Sequence, residues 1–427
     1  MTTTGARSVF TVAVLSLMPI KAKLLKMKIQ AQWIEEWKKN LEPAMTEFLL
    51  SQELIEKDAP LSNKRFLARS IIPHVKKYQE LFNRKGELAP DKNYWKKISD
   101  SPHFLTAYFL AYMPANLVRV ASVLGELERL GFQFSTQSAR VLELGAGPAS
   151  AAAGWCEVSR LSPDFIPKTD TIALVEKDRK ALELGAEWIR HITARSPYAP
   201  SVQTFHRTID WARGLLPKTA PEFDVILTSY FLNESTESTE YIAEKLFYLL
   251  DDHLSPEGIW IGVEPALKAE SRKLLEIRKH LIARILKTKS KLKILLPCLG
   301  HQSCGALEKA GDWCHEEVTW WRPPYLKAID EMASIDRKSL PYSYLVIAKS
   351  DRERSKILPK TSHPKIARLV SPTHTEGSDL EFHLCDQTGK RKARWKTDNE
   401  IGRGDLISIQ NERGDQTSRR IDKASVI

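Results

Sequence analysis

Val141-Leu142-Glu143-Leu144-Gly145-Ala146-Gly147-Pro148-Ala149 is the stretch that decides how this chain folds. Val141–Leu144 reads as a short apolar strand ending in glycines, and the Ala-rich segment behind it reads as a helix. Glycines at such a junction let the backbone turn sharply and approach a ligand closely. The amino terminus of the helix then offers free N–H groups. Downstream the texture alternates. Strands are predicted at Thr171–Val175, Val202–Phe205, Phe223–Thr228, Gly258–Val263, Glu316–Trp321 and Tyr342–Ala348. Helices are predicted at Thr239–Leu250 and from Ala266 to Lys289. This alternation predicts an α/β domain with a mainly parallel, Rossmann-like sheet covered on both faces.

Upstream, residues 30–135 read as helical, with Trp33, Ile34, Trp37 and Leu41 recurring at three- and four-residue steps. Thr106–Leu130 reads as one apolar-periodic helix. After Lys349 the chain turns polar and turn-rich, with strand-like pieces at Ile366–Val370, Leu380–Leu384 and Asp405–Ile409. The predicted division is 1–34 as a targeting or disordered segment, 35–135 helical, 136–350 the sheet domain with a cysteine-bearing insertion at 296–315, and 351–427 a small β domain.

At 427 residues the chain is too long for one compact core. Its net charge of +11 suggests a polyanionic partner such as RNA. Residues 268–293 hold ten Lys and Arg against two Glu, which is either a solvated helix face or a nucleic-acid surface. The longest apolar run, Ser8–Ile20, is about 13 residues, too short to cross a bilayer. The first 34 residues contain no Asp or Glu but do contain Arg7, Lys21, Lys23, Lys26 and Lys28. A mitochondrial presequence, a secretory signal and sequence upstream of a later start all fit that pattern.

The glycine loop has Pro148 and Ser150 where a dinucleotide enzyme would want a third glycine. The E-x-G-x-G form resembles motif I of class I S-adenosylmethionine (SAM) methyltransferases, with Glu143, Gly145, Ala146 and Gly147 as its residues. An acid at the end of the second strand can accept ribose hydroxyls, with Glu176 ahead of Asp178 by position. In the superfamily that this loop resembles, the position of Asp210, after the third strand, contacts the adenine. Asn233 and Glu234, after the fourth, lie where such enzymes keep catalytic residues. Neither an N-P-P-Y-type tetrapeptide nor a Cys directly after that strand is present, so no base or nucleophile stands out.

The chain has five cysteines, three of them spaced Cys298-x5-Cys304-x9-Cys314, with Cys385 far downstream. Thiolates bind soft metals, and four suit zinc or an iron–sulfur cluster. No C-x2-C knuckle is present, and the wide spacing favours a cluster held between domains over zinc. His301 and His315 are substitute ligands, and Cys156 reads as core.

The chain resembles the methyltransferase-like proteins of the mitochondrial small ribosomal subunit and their bacterial relatives. The stretches that carry this are Tyr108–Pro114, Val141–Ala149, Asp224–Glu234, Gly262–Pro265, Pro297–His315, Pro341–Val346, Phe382–Cys385, Lys392–Trp395 and Gly404-Asp405. The resemblance implies a class I methyltransferase domain with a cysteine-bearing insertion and a small C-terminal β domain. It implies a 4Fe–4S cluster on Cys298, Cys304, Cys314 and Cys385, and a role on small-subunit rRNA in ribosome assembly and translation. The family's first two cysteines are often followed by proline, where this chain has Leu299 and Gly305. Two readings stay open: a SAM-binding assembly factor, and an active rRNA methyltransferase. A monomer in the bacterial cytoplasm is the expected form, with the mitochondrial matrix as the alternative.

Overall fold

A computed structural model of the chain describes residues 32–427 apart from 58–60, 84–101, 195, 197–198, 302 and 416–417. The basic N-terminal segment read from the sequence lies outside the described residues. The sheet domain has the strand order β3-β2-β1-β4-β5-β8-β6, with β7 added on β8. Its strands are β1 (Ser138–Leu144), β2 (Lys168–Glu176), β3 (Ser201–His206), β4 (Phe223–Ser229), β5 (Leu254–Pro265), β6 (Leu292–Leu296), β7 (Glu316–Thr319) and β8 (Ser339–Lys349). β3 through β5 pair in parallel, and β8 runs antiparallel against β5, β6 and β7. Chain order reverses between β1 and β4, the switch point where doubly wound sheets bind ligands. With the reversed β8, this is the sheet of class I methyltransferase domains.

The central strands are apolar on both faces because helices cover both. One core joins the N-terminal helices to one face of the sheet, and a second fills the opposite face. The first face receives α1 (Glu42–Ser51), α2 (Ile72–Asn83), α3 (Pro102–Ala111), α4 (Met113–Arg129), α5 (Ser150–Leu161) and α6 (Arg179–Thr193). The second carries α7 (Thr239–His253) and α8 (Lys268–Thr288). Asp178 and Ser238 cap α6 and α7 by accepting the N–H groups of Ala181 and Tyr241. The predicted Thr106–Leu130 helix breaks at Tyr112, where Pro114 opens the next helix. The stretch His103–Arg129 is long and apolar enough to cross a membrane, yet 83% of its most apolar window is buried inside the protein.

The C-terminal β domain is a barrel with its own core. Its strands are β9 (Ile366–Leu369), β10 (His374–Glu376), β11 (Asp379–Asp386), β12 (Gly389–Trp395), β13 (Leu406–Gly414) and β14 (Ser418–Val426). The ring runs β9-β11-β12-β14-β13 and back to β9, with β10 on its outside. β12 and β14 pair in parallel, and the other ring pairs are antiparallel. A five-stranded Greek-key ring of this connectivity is an OB-type barrel. Two further short helices are α9 (Gly305–Glu308) and α11 (Arg354–Ile357), with α10 (Pro324–Ala333) between them in the chain.

Candidate functional site

The carboxyl edge of the sheet is held together by three buried glutamates. Glu143 accepts the N–H groups of Ala151 and Ala152 at the start of α5. Burial pushes its carboxyl up to about 8, more than those two donors bring it down. Glu176 accepts Gly147 on one oxygen, and Lys177 and Asp178 on the other. Glu264, at the end of β5, accepts Phe231, Leu232 and Asn233. A carboxylate has about four acceptor positions. Glu176 therefore keeps acceptor capacity beyond its three backbone partners.

Gly145 has φ +67, and a Cβ there would meet the Phe231 ring at 2.6 Å. Gly147 has φ +50, and a Cβ there would meet nothing within 4 Å. The loop is thus packed at its first glycine and open at its second, a shape that fits a cofactor lying across Gly147. Gly145 and Ala146 both donate to the Val175 carbonyl, which fixes the loop on β2. Phe231 also stacks on Trp211, with ring centres 5.6 Å apart.

Asp210 does not face this loop with a free carboxylate. It accepts Ala212 and Arg213 N–H groups in its own turn and pairs with the Arg213 side chain at 3.5 Å. Its neighbour Trp211 is what reaches the glycine loop, through Phe231, a contact that the residue pattern did not announce. Glu234 forms an exposed ion pair with Lys177 at 3.5 Å. Asn233 Oδ1 and Ser229 Oγ are buried at the end of β4 without a hydrogen-bond partner.

The second candidate site lies at the joint between sheet and barrel. Cys298, Cys304, Cys314 and Cys385 are all free and partly buried. Cys314 feels the charge of the other three, and Cys385 feels Cys298 and Cys304. Burial first, then this mutual repulsion, pushes Cys385 up to about 12 and Cys314 well above its ordinary value. The loop 298–314 and the strand β11 thus bring thiols near enough to sense one another's charge. Among the described residues, no group of three or more His, Cys, Asp or Glu is arranged to hold a metal ion. Cys156 packs against the main core, as expected.

The two substitute ligands differ. His301 Nε2 takes the Ile294 N–H at 3.3 Å and so closes its own loop. His315 Nδ1 is buried without a partner, and so is Trp313 Nε1. The two rings stack on either side of Cys314 in the chain, 6.0 Å apart. Burial, with Arg403 and Lys390 adding to it, lowers His315 to about 4.

Arginines shape the cysteine loop by its carbonyls. Arg272 of α8 donates to Ala306, Leu307, Lys309 and Asp312, between the second and third cysteines. Arg278 donates to Gly300 at 2.9 Å. From the barrel side, Arg368 donates to Pro297 at 2.9 Å and Arg403 to His315 at 3.2 Å. Arg368 is 2% exposed and pairs with Glu126 of α4. Gly305 lies against Lys390 of β12, where a Cβ would sit 2.8 Å from that side chain.

The basic helix divides its cations between protein partners and solvent. Arg272, Lys273, Arg278 and Arg284 are committed to protein partners. Lys268, Lys287 and Lys289 remain exposed, while the exposed Lys279 and Lys291 pair with Glu276 and Asp351. Lys390, Arg391, Lys392 and Arg394 of the barrel are likewise paired with acids.

Among solved structures, the plantazolicin methyltransferase BpumL in complex with SAH is 12% identical over 67% of this chain and 99% of its own, with a TM-score of 0.32. The mitomycin 7-O-methyltransferase MmcR is 14% identical over 70% and 75%, with a TM-score of 0.36. The glycopeptide N-methyltransferase MtfA complexed with sinefungin is 16% identical over 35% and 55%, with a TM-score of 0.24. Likeness this distant carries no argument, and the fold rests on the strand order. No curated protein matches the chain. The family model for the mitochondrial small ribosomal subunit protein Rsm22 matches residues 103–415, well over half of the chain, and takes in the glycine loop and all four joint cysteines. The chain belongs to the mitochondrial small ribosomal subunit Rsm22 family.

Proposed function

We propose that this chain is a SAM-binding, iron–sulfur-containing factor that acts on small-subunit rRNA in ribosome assembly and translation. Family membership supports the ribosomal setting. The family is described for the mitochondrial subunit, so the proposed compartment is the mitochondrial matrix; the bacterial cytoplasm favoured from sequence finds no support there. The observation that carries the reading is that Cys298, Cys304, Cys314 and Cys385 are all free and partly buried, with Cys314 sensing the charge of the other three.

A single zinc at about 2.3 Å from each sulfur needs thiols about 3.8 Å apart. A four-iron cluster is larger and takes thiols set wider. Cys298, Cys304, Cys314 and Cys385 would hold it. When bound, it supplies a cross-link that ties the barrel to the sheet domain. The orphaned donors of Trp313 and His315 beside Cys314 fit a sulfur-rich acceptor.

At the other site, the open face of Gly147 and the remaining acceptor position of Glu176 would receive SAM. SAM supplies an electrophilic methyl group when bound. The exposed lysines of α8 and the OB-type barrel give RNA a surface to bind.

The test is anaerobic purification followed by iron, sulfide and zinc analysis, with crosslinking to small-subunit rRNA. About four irons and four sulfides per chain, lost on Cys385→Ser together with rRNA crosslinks, is the expected result. Zinc without sulfide, or no metal at all, would overturn the cluster. A second reading, an active rRNA methyltransferase, is favoured by the unpartnered Asn233 Oδ1 and Ser229 Oγ at the end of β4. Under that reading Asn233→Ala abolishes methyl transfer and leaves rRNA crosslinking intact.

A further inference from the structure

The turn that leaves β4 holds its backbone at an angle that side chains resist. Tyr230, directly after Ser229, has φ +58, a left-handed value that residues other than glycine rarely adopt. Several contacts fix it there. The Tyr230 N–H donates to the Val263 carbonyl at 2.8 Å, and the guanidinium of Arg119 of α4 lies over the ring, 5.4 Å from its centre. Arg119 is itself anchored: Nη1 donates to Asn116 Oδ1 at 2.7 Å, and Nε to the Pro341 carbonyl at 3.3 Å. Phe231, next in the chain, packs instead against Gly145 and Trp211. Backbone held off its preferred angles in this way gathers at ligand sites.

The same turn carries two polar atoms with nothing to bind. Asn233 Oδ1 and Ser229 Oγ are buried and have no hydrogen-bond partner. Ser229 pairs with Val263 in the sheet, one residue before Glu264, and the Asn233 N–H lies 3.1 Å from Glu264 Oε2. Both residues therefore flank one carboxylate. A buried polar atom left unpaired is costly and calls for a partner. Asn233 Oδ1 can only accept, and Ser229 Oγ can accept as well, so the partner is a donor. Tyr230, between them in the chain, is half-buried.

We propose that this turn is a pocket for a nucleobase bearing an exocyclic amine. The base lies on the face of the Tyr230 ring opposite Arg119, and its two amine N–H groups go to Asn233 Oδ1 and Ser229 Oγ. This rests on the reading of rRNA as the partner, given under Proposed function, and it holds whether or not a methyl group is transferred. Stacking on an aromatic ring binds an unpaired base of any kind, and the two acceptors supply the selection. Cytosine presents an amine where uracil presents a carbonyl, and that carbonyl would set acceptor against acceptor.

The experiment measures binding of a cytidine hexamer and a uridine hexamer to the full chain by fluorescence anisotropy, beside crosslinking to small-subunit rRNA. Wild type is expected to prefer the cytidine hexamer by about tenfold. Asn233→Ala should remove most of that preference by weakening cytidine binding alone. Tyr230→Gly keeps the backbone angle, which glycine adopts freely, and should weaken both hexamers by at least about fivefold. Tyr230→Phe keeps the ring and should bind as wild type does. Whole rRNA, held through many phosphates, should still crosslink to each variant. Equal affinity of wild type for the two hexamers would overturn the pocket, and so would an Asn233→Ala variant that weakens both alike, which marks a merely structural role. Wild type that crosslinks to rRNA yet binds neither hexamer would overturn the pocket and leave the RNA reading intact. Loss of the rRNA crosslinks as well would overturn both.

Discussion

The two candidate sites hold their loops by opposite ends of the peptide group. At the carboxyl edge of the sheet, Glu143, Glu176 and Glu264 accept backbone N–H groups, and Glu176 and Glu264 leave that wall acidic. At the joint, Arg272, Arg278, Arg368 and Arg403 donate to backbone carbonyls, and the wall that remains is basic. Each arrangement immobilises a loop without a long side-chain network. Each also sets the sign of the local field for whatever binds. SAM is a sulfonium cation, and a thiolate-held cluster is an anion. The same economy of backbone anchoring therefore gives the two sites opposite preferences.

The strongest way to break this contrast is Arg368→Met. It strips the barrel's hold on Pro297 and leaves Glu126 buried without its main partner. Breaking one side of a buried pair costs about 3–5 kcal/mol, and denaturant unfolding should show a loss of that size. Glu143→Gln sharpens the acidic side. The folded carboxyl titrates near 8, above its ordinary 4.5. A raised folded value contributes stability that is fully present below about 4.5 and is lost as pH rises through about 8. Melting curves should therefore show wild type losing ground to Glu143→Gln between those limits, by an amount on the order of a few kcal/mol. Glu264→Gln leaves one acceptor oxygen for three N–H groups, so about 1–3 kcal/mol is expected. Lys177→Ala removes an exposed pair with Glu234 and should change stability by less than about 1 kcal/mol. A large effect there would mean that the pair is part of the site.

Much of the sheet was legible because its middle strands are apolar on both faces. β1, β4 and β5 fall where the runs Val141–Leu144, Phe223–Thr228 and Gly258–Val263 predict them. β6 was not read, because Leu292–Leu296 is hidden between a lysine run and Pro297. β12 escaped for a different reason. Its sequence, Gly389–Trp395, looks like a charged loop, yet Arg391, Ala393 and Trp395 alternate into the barrel. The clustering of Cys298, Cys304 and Cys314 was legible from spacing alone. The arginines that serve them were not, because a basic residue in sequence reads as surface charge. Glu264 illustrates the same limit: its stretch carried a resemblance, but nothing in the chain says that a carboxylate will bind three backbone N–H groups 31–33 residues away.

The parallel pairing of β12 with β14 has a consequence for synthesis. β14 is the last strand of the barrel and is inserted between β12 and β13, which precede it in the chain. Until it forms, the ring of β9, β11, β12 and β13 stays open between β12 and β13. Ile427 completes the closure, since its carbonyl accepts Arg129 of α4 at 2.8 Å. Closure of the barrel is thus a late event in the life of each molecule, since it waits for the strand made last.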